Sequence, residues 1–136
     1  MVKDFGIKRG MLLPVSAPFH CPLMQPAADA MAEALERTSP SALRIALFAN
    51  VDAAIVTEPA EVRRLLVEQV TGRVRWRESV QWMADSQEKG GGGVTKFIET
   101  GAGKQLSGMV KRNAPEAETV ALNTPADLEA FAKSLG

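Results

Sequence analysis

The side chains with the clearest chemical potential are a histidine and a cysteine that stand side by side. His20 follows Pro18-Phe19 and precedes a predicted helix start at Pro22. A histidine in a loop between a strand and a helix can act as a general base for a hydroxyl nucleophile, provided that a partner on its other ring nitrogen fixes the tautomer. Cys21 offers a thiol nucleophile. A packing role is the competing interpretation for both, since a free cysteine is usually a small core residue.

Two basic segments could bind an anion. Gly101-Ala102-Gly103-Lys104 lies between a predicted strand and a predicted helix, where backbone N–H groups can face a phosphate. Arg73, Arg75 and Arg77 alternate around Trp76 and could contact the phosphates of coenzyme A or of a phosphopantetheine carrier. The alternatives are a tight turn in which glycines allow close packing, and a solvated helix edge beside a buried tryptophan.

Composition excludes several classes of protein. Lys plus Arg number 16 and Asp plus Glu number 16, so a net charge of zero rules out a chain-wide basic field for nucleic acid. One histidine and one cysteine exclude an internal disulfide, a cysteine-only zinc site and a multi-histidine metal site. No apolar run approaches the roughly 20 residues of a membrane helix, and no apolar leader follows Met1-Val2-Lys3-Asp4. We expect a soluble cytoplasmic α/β domain with neither nucleic acid nor membrane as partner.

Alternating strands and helices are predicted to position these candidates. Such alternation favours a parallel or mostly parallel sheet flanked by helices. Too few strands are available to cover both faces of that sheet, which suggests a piece of something larger. The predicted elements are a strand at Met11–Val15, a helix at about 22–37 stopped by Ser39-Pro40, a buried strand at 43–50, an extended stretch at 53–56, a helix from the N-cap Thr57 to Thr71, a helix through Trp76, Val80, Met83 and Ala84, a flexible turn at 90–93, a strand at 96–100, a helix with Leu106, Met109 and Val110, a strand at 119–122, and a helix capped by Thr124 with Leu128, Phe131, Ala132 and Leu135 facing inward.

Several segments, in order and at matching spacing, resemble the malonyl-CoA–acyl-carrier-protein transacylases of bacterial fatty-acid synthesis. The string LPVSAPFHCPLM at residues 13–24 is similar to the segment that carries the family's catalytic histidine. The resemblance runs from about residue 9 to the end of the chain. The other matching segments are Gln25-Pro26-Ala27-Ala28-Asp29, Asn50-Val51-Asp52, Gln69-Val70 with Val74-Arg75-Trp76 and Ser79-Val80, and Glu99-Thr100-Gly101-Ala102-Gly103-Lys104 with Leu106, Gly108, Lys111 and Arg112.

The resemblance implies a fold and a division of the chain. The family has an α/β-hydrolase-like core with a small ferredoxin-like subdomain inserted in it. By this likeness, residues 1–16 are the end of the small subdomain and contribute its exit strand. Residues 17–136 are then the C-terminal part of the acyltransferase core.

The resemblance also implies a reaction. In the family, a serine takes a malonyl group from coenzyme A and passes it to the phosphopantetheine thiol of acyl carrier protein. His20 matches the histidine that serves as general base and acid, and Gln69 matches the residue whose backbone carbonyl orients the histidine ring. The family uses no metal and no cofactor beyond the thioester carriers, so none is expected here.

Three residues of the family's machinery have no counterpart in this chain. They are the serine of the Gly-x-Ser-x-Gly elbow, a glutamine of the oxyanion hole and the arginine that pairs with the malonyl carboxylate. We therefore expect the isolated chain to be inactive, or to need a partner chain that carries the N-terminal half. Phe19 before the histidine favours malonyl over methylmalonyl by analogy with related acyltransferases.

Two other interpretations stay open from the sequence. A non-catalytic remnant would bind acyl carrier protein or coenzyme A without transferring acyl groups, because basic side chains attract an acidic carrier. Alternatively the fragment does not fold alone, since exposed strand edges invite aggregation. The basic residues available for docking are Arg73, Arg75, Arg77, Lys104, Lys111 and Arg112.

Overall fold

The computed structural model describes Gly6, residues 14–38 and residues 40–136. The predicted strand at Met11–Val15 lies outside this part except for Pro14 and Val15, which are not in a strand. The segment 1–16, predicted to end a small subdomain, lies largely outside it too, as does Ser39 of the predicted helix stop.

Helices and strands are interspersed along the described residues, which confirms the α/β prediction. A 3-10 turn at Pro22–Met24 leads into the first helix, and a second one at Gln87–Lys89 follows the third helix. The elements are α1 (Gln25–Glu36), β1 (Leu47–Ala49), β2 (Ala54–Val56), α2 (Pro59–Thr71), α3 (Trp76–Ala84), β3 (Lys96–Thr100), α4 (Gln105–Asn113), β4 (Glu118–Leu122) and α5 (Pro125–Ser134).

The first half of the structure is built on α1 and α2, which pack against each other. The predicted helix at 22–37 is confirmed, with Pro26 in the first turn of α1, where a missing N–H costs nothing. Helix α2 ends at Thr71 as predicted, and Val62 and Leu65 on one of its faces are buried. Its N-cap is Glu58 rather than Thr57, so that prediction is wrong by one residue, and no side chain caps the helix start.

The predicted strand at 43–50 is much shorter than expected. Strand β1 has three residues and pairs antiparallel with β2, with Leu47 opposite Val56. Only Ala49 and Val56 of this pair are buried, and Ile45 beside it is 82% exposed. The expectation of a long buried strand in a parallel sheet is therefore wrong here. Ala49 and Val56 pack with Val62 and Leu65 of α2, whereas Ile45 and Leu47 on the same alternating pattern stay exposed.

The second half is a β3–α4–β4 unit, in which the predicted parallel pairing is confirmed. The strands pair with Phe97 opposite Thr119, and Phe97 packs with α3 and α4 around Val80 and Val110. The spacing of Trp76, Val80 and Met83 predicted this helix face. Among the described residues this sheet consists of β3 and β4 and is separate from the β1–β2 pair.

The predicted turn at Gly90–Gly93 is present, and hydrogen bonds tie it to the end of α3. Gly92 N donates to Trp82 O at 2.9 Å, and Gly93 N donates to Asp85 O at 2.8 Å. A Cβ at Gly91 would lie 2.4 Å from Asp85 O, a backbone atom that cannot move aside cheaply. The glycines thus allow the chain to fold back against the end of α3.

Helix α5 is capped as the sequence predicts, but its apolar face is not buried. The Thr124 hydroxyl accepts from Asp127 N, and the Asp127 carboxylate accepts from Thr124 N, which is a complete capping box. Leu128 is 51% exposed and Leu135 is 70% exposed. The predicted inward orientation is therefore wrong for Leu128 and Leu135 within the described structure, whereas Phe131 on the same helix is half-buried.

The start of α4 is held by the carboxylate of Glu99 at the end of β3. Glu99 Oε2 accepts from Ser107 N at 2.8 Å and from the Ser107 hydroxyl at 2.6 Å, and Oε1 accepts from Leu106 N at 3.1 Å. These donors hold the pKa of the Glu99 carboxyl below its ordinary value, the Ser107 hydroxyl most of all. The carboxylate thereby satisfies N–H groups that the first turn of a helix leaves free.

We predict that Glu99→Gln destabilises the chain in a pH-dependent way. Because the native pKa is lowered, ionised Glu99 stabilises the fold above the unfolded-state value of about 4.3, and this contribution is lost as pH falls through the native value. The difference in unfolding free energy between wild type and Glu99→Gln should be largest at neutral pH and shrink under acid. Urea unfolding at several pH values measures it, with the exposed Glu116→Gln as control. A pH-independent difference would contradict this role.

Candidate functional site

His20 lies in a compact, exposed turn before α1. Its φ is +57°, in the left-handed region that few residues other than glycine adopt. Such a backbone conformation persists only where surrounding contacts hold it. The Cys21 thiol donates to Pro18 O at 3.0 Å, so it is hydrogen-bonded to its own loop. The structure thus gives the Cys21 thiol a contact within its own loop.

The structure brings the two residues singled out by the resemblance together. His20 Nδ1 is 2.9 Å from the backbone carbonyl oxygen of Gln69. Because a carbonyl oxygen only accepts, this contact requires a proton on Nδ1. In the neutral ring, Nε2 then carries the lone pair and can take a proton.

The Gln69 carbonyl is free to accept because α2 ends just after it. The last carbonyls of a helix have no N–H partner within that helix. Gly72 leaves the helix in an extended conformation, with φ −79° and ψ 154°. A Cβ at Gly72 would lie 2.7 Å from Val51 Cγ2 and 2.8 Å from Glu68 O, so a larger residue would push the helix end away from the β1–β2 turn.

The Gln69 side chain also faces the histidine. Its Nε2 is 3.2 Å from His20 Nδ1, and its Oε1 accepts from Asn50 Nδ2 at 3.1 Å. Asn50 lies directly after β1, is half-buried, and accepts at its backbone oxygen from Arg75 N at 3.2 Å. Three separate segments of the chain therefore meet around the ring of His20.

Sequence reasoning did not single out Asn50 and Gly72 as functional residues. Asn50 ends a predicted strand and Gly72 directly follows the helix predicted to end at Thr71, and both positions are common in any α/β chain. A polar residue that directly follows an apolar strand and a glycine that directly follows a helix were the available clues. Neither shows by itself that the two would meet at one histidine.

The structure gives Arg75 a structural role that the sequence did not predict. Its Nη1 donates to Asp52 O at 2.7 Å, and its Nε is paired with the Glu78 carboxylate. Arg73 and Arg77 remain exposed on either side. Arg75 thus joins the β1–β2 turn to α3, and less of its charge is free for a ligand.

The glycine turn at 101–104 is occupied by a contact within the protein. Gly103 N donates to the side-chain oxygen of Asn123 at 2.7 Å. Gly101 and Gly103 have φ of 123° and 102°, which explains why glycine is needed at both positions. These contacts favour the tight-turn interpretation over an anion site. Lys104 and Lys111 border a separate cavity of about 350 Å³ beside this turn.

Within the described part of the chain, no three His, Cys, Asp or Glu side chains come together as metal ligands. No helix among the described residues is long and apolar enough to cross a membrane.

Comparison with known proteins gives consistent matches. The chain is 36% identical over 135 residues to the malonyl CoA-acyl carrier protein transacylase of Bacillus subtilis (strain 168). The matched region covers 99% of this chain and 41% of that protein. It matches the crystal structure of acyl-carrier-protein-S-malonyltransferase from Bartonella henselae with a TM-score of 0.83 and 42% identity, over 98% of this chain and 41% of that one. It also matches a malonyl-transacylase in complex with its type II PKS acyl-carrier protein, with a TM-score of 0.81 and 35% identity, over 97% of this chain and 41% of that one. No model of a known protein family matches.

The fold and these matches define the chain as a homologue of acyltransferases with an α/β core. More specifically, it is homologous to the malonyl-CoA–acyl-carrier-protein transacylases, which confirms the resemblance seen in the sequence. The chain spans about two fifths of the length of the relatives that it matches, as expected for a C-terminal portion.

We predict that neutral His20 is in the tautomer with hydrogen on Nδ1, because the Gln69 carbonyl can only accept. Long-range ¹H–¹⁵N correlation spectra of the single histidine in the 136-residue chain report this directly. Gly72→Ala should weaken the preference by displacing the Gln69 carbonyl, while Gly108→Ala, which meets nothing within 4 Å, should leave it unchanged. A histidine with hydrogen on Nε2 would contradict the assignment.

Proposed function

We propose that this chain supplies the general base for transfer of a malonyl group from coenzyme A to the phosphopantetheine thiol of acyl carrier protein. The observation that carries the proposal is the 2.9 Å contact between His20 Nδ1 and the Gln69 carbonyl oxygen. That contact leaves Nε2 able to accept a proton, as a base in acyl transfer must. The homology to malonyl-CoA–acyl-carrier-protein transacylases supports this reaction over other acyl transfers.

In the proposed reaction His20 moves one proton in each direction. Nε2 takes the proton of a serine hydroxyl as the serine oxygen attacks the malonyl thioester carbon. The carbon–sulfur bond to coenzyme A then breaks, and Nε2 returns the proton to the departing thiolate. The carrier's thiol regenerates the serine by the reverse sequence, with Nε2 taking the thiol proton and giving it to the serine oxygen. The Gln69 carbonyl holds the ring in place and interacts favourably with the imidazolium formed in between.

The nucleophilic serine of this proposal comes from outside the present chain. The buried Ser79 donates its hydroxyl to Arg75 O at 2.9 Å, and Ser107 donates to Glu99 at 2.6 Å. Both hydroxyls serve the local fold, and neither stands in a Gly-x-Ser-x-Gly sequence. A segment corresponding to the remaining, N-terminal part of the relatives, about three fifths of their length, would supply it.

Apolar surface that the described elements leave uncovered supports the existence of such a segment, on the same chain or on another. Ile98 on the sheet formed by β3 and β4 is 44% exposed, and Ile55 on β2 is 48% exposed. Parallel sheets in α/β proteins are normally covered on both faces. The part of the relatives that this chain does not match is large enough to cover these surfaces. His20 itself is exposed, as expected for half of a site.

We propose that the carrier and coenzyme A approach with help from exposed basic residues. Arg73 and Arg77 flank one depression, and Lys111 and Arg112 lie on α4. Positive charge near a site raises the association rate of an acidic partner. The homologous transacylase in complex with an acyl-carrier protein supports this choice of partner. We place the reaction in the cytoplasm, as expected from the sequence.

A chimeric protein tests the proposal. In the chimera, this chain replaces the region that it matches in the Bartonella henselae protein. The N-terminal segment of that protein is kept. Incubation with malonyl-CoA should give a malonyl-serine adduct by intact mass, and acyl carrier protein should then receive the group. His20→Ala should lower the rate of transfer by about 10²–10⁴-fold.

Cys21→Ser serves as the matched control because serine keeps a donor for Pro18 O. It should retain the transfer activity, which excludes the thiol as nucleophile. A folded chimera that binds acyl carrier protein but forms no adduct would refute the catalytic proposal and indicate a binding remnant. Loss of the adduct in Cys21→Ser but not in His20→Ala would refute it as well.

A further inference from the structure

The segment between α2 and α3 places three arginines around one depression. The depression has a volume of about 330 Å³ and is lined by Arg73, Val74, Arg75, Arg77 and Glu78. Arg75 is used within the fold, because its Nε is paired with the Glu78 carboxylate and its Nη1 donates to Asp52 O at 2.7 Å. Glu78 is the one carboxylate among the lining residues, and Arg75 already neutralises it.

The guanidinium groups of Arg73 and Arg77 are left without such a partner. Both residues are exposed, and within the described part of the chain no carboxylate forms a salt bridge with either. The hydrogen bond from Arg75 lowers the pKa of the Glu78 carboxyl most, and the charges of Arg73 and Arg77 lower it further. Both charges therefore act at this depression, which has an excess of positive charge.

The backbone that carries the two exposed arginines is held in place. Arg75 N donates to Asn50 O at 3.2 Å, which ties the segment to the end of β1. The next residue, Trp76, packs into the apolar cluster around Val80. Binding costs less when the binding groups already have a fixed starting point, so this segment suits a ligand site better than a mobile loop would.

The depression is near His20 but not at its ring. Arg73 is four residues beyond Gln69, whose carbonyl oxygen contacts His20 Nδ1, so the Cα atoms of Arg73 and Gln69 are at most about 14 Å apart. A flexible pantetheine arm separates the thioester of malonyl-CoA from its anionic groups. An anion site at this remove from the ring therefore suits the far end of the arm rather than the thioester.

Two unpaired guanidinium groups match a diphosphate better than a single phosphate. In coenzyme A the pantetheine arm ends in a diphosphate with two negative charges. In the carrier protein the same arm ends in one phosphodiester with a single charge. A guanidinium donates two parallel N–H groups to one phosphoryl group, so two arginines can bind two phosphoryl groups.

We propose that Arg73 and Arg77 bind the diphosphate of coenzyme A, each guanidinium donating to one phosphoryl group, while the pantetheine arm extends toward His20. The inference rests on the proposed function, in which malonyl-CoA is the acyl donor. It gives the two arginines a direct contact with the substrate, beyond a general attraction of anionic partners. Arg75 holds the segment in place and need not touch the ligand.

The first test measures binding and needs no catalytic activity. Titration of the 136-residue chain with coenzyme A should shift the ¹H–¹⁵N resonances of residues 73–78. Arg73→Gln and Arg77→Gln should each raise the dissociation constant about 3- to 10-fold, as expected for one charge-assisted contact at an exposed site. Arg44→Gln, which removes an exposed arginine before β1, is the matched control and should leave the constant unchanged.

Two further comparisons identify the group that is bound. Dephospho-coenzyme A keeps the diphosphate and should bind nearly as well as coenzyme A, whereas pantetheine 4′-phosphate should bind much more weakly. Arg77→Lys keeps the charge but loses the planar pair of donors, so it should also weaken binding. A general electrostatic attraction would leave the affinity of Arg77→Lys at the wild-type value.

The second test uses the chimera described above. The double variant Arg73→Gln with Arg77→Gln should raise KM for malonyl-CoA about 10-fold or more and change kcat little, because the diphosphate is bound alike before and during the reaction. Malonyl-pantetheine lacks the diphosphate. With this substrate the double variant should have the wild-type KM.

Wild-type affinity of the double variant for coenzyme A would overturn the proposal. So would coenzyme A that shifts no resonance of residues 73–78 in the chain or in the chimera. Equal binding of pantetheine 4′-phosphate would assign the depression to the carrier's phosphodiester instead, and an equal rise in KM for malonyl-pantetheine would indicate a structural effect. An inactive wild-type chimera would count against the proposed function alone, because the binding test does not require transfer.

Discussion

The hydrogen bond between His20 Nδ1 and the Gln69 carbonyl oxygen joins residues that are 49 positions apart in the sequence. It can form only because α1 and α2 pack together and bring the turn before α1 to the end of α2. It also requires that α2 stop at Thr71, since a longer helix would give the Gln69 carbonyl an N–H partner of its own. The packing of these two helices and the close approach at Gly72 therefore determine the chemistry of the ring.

The described structure also leaves apolar surface of its sheets uncovered. The described strands form two separate pairs, and apolar residues of both pairs are exposed. The chain spans about two fifths of the length of the relatives that it matches. Under the proposed function, the segment that supplies the serine would cover both the exposed sheet faces and the exposed histidine.

Local patterns in the sequence predicted the helices well, because the spacing of apolar residues and the capping residues themselves stabilise a helix. The spacing of Trp76, Val80 and Met83 sets the buried face of α3, and Thr124 with Asp127 caps α5. The failures came at apolar residues that are less buried than their pattern predicts. The apolar stretch at 43–50 forms only the short strand β1, of which Ala49 is buried, and Leu128 is 51% exposed.

The candidate functional residues also divide into those that local sequence patterns indicate and those that depend on contacts across the chain. His20 was a candidate from its residue type and loop position, but its role and that of Gln69 came from the resemblance to a family. No periodicity could identify Gln69, because its contribution to the ring contact is a backbone carbonyl. Asn50 and Gly72 act through contacts across the chain, which local patterns do not encode.

A crystal structure of the chimera would test the central claim most directly, through the distances around the two nitrogens of His20. The account predicts a serine oxygen of the added segment within about 2.6–3.2 Å of Nε2, with Nδ1 still on the Gln69 carbonyl oxygen. A folded chimera in which Nε2 faces solvent, or in which Nδ1 has left the Gln69 carbonyl, would contradict it.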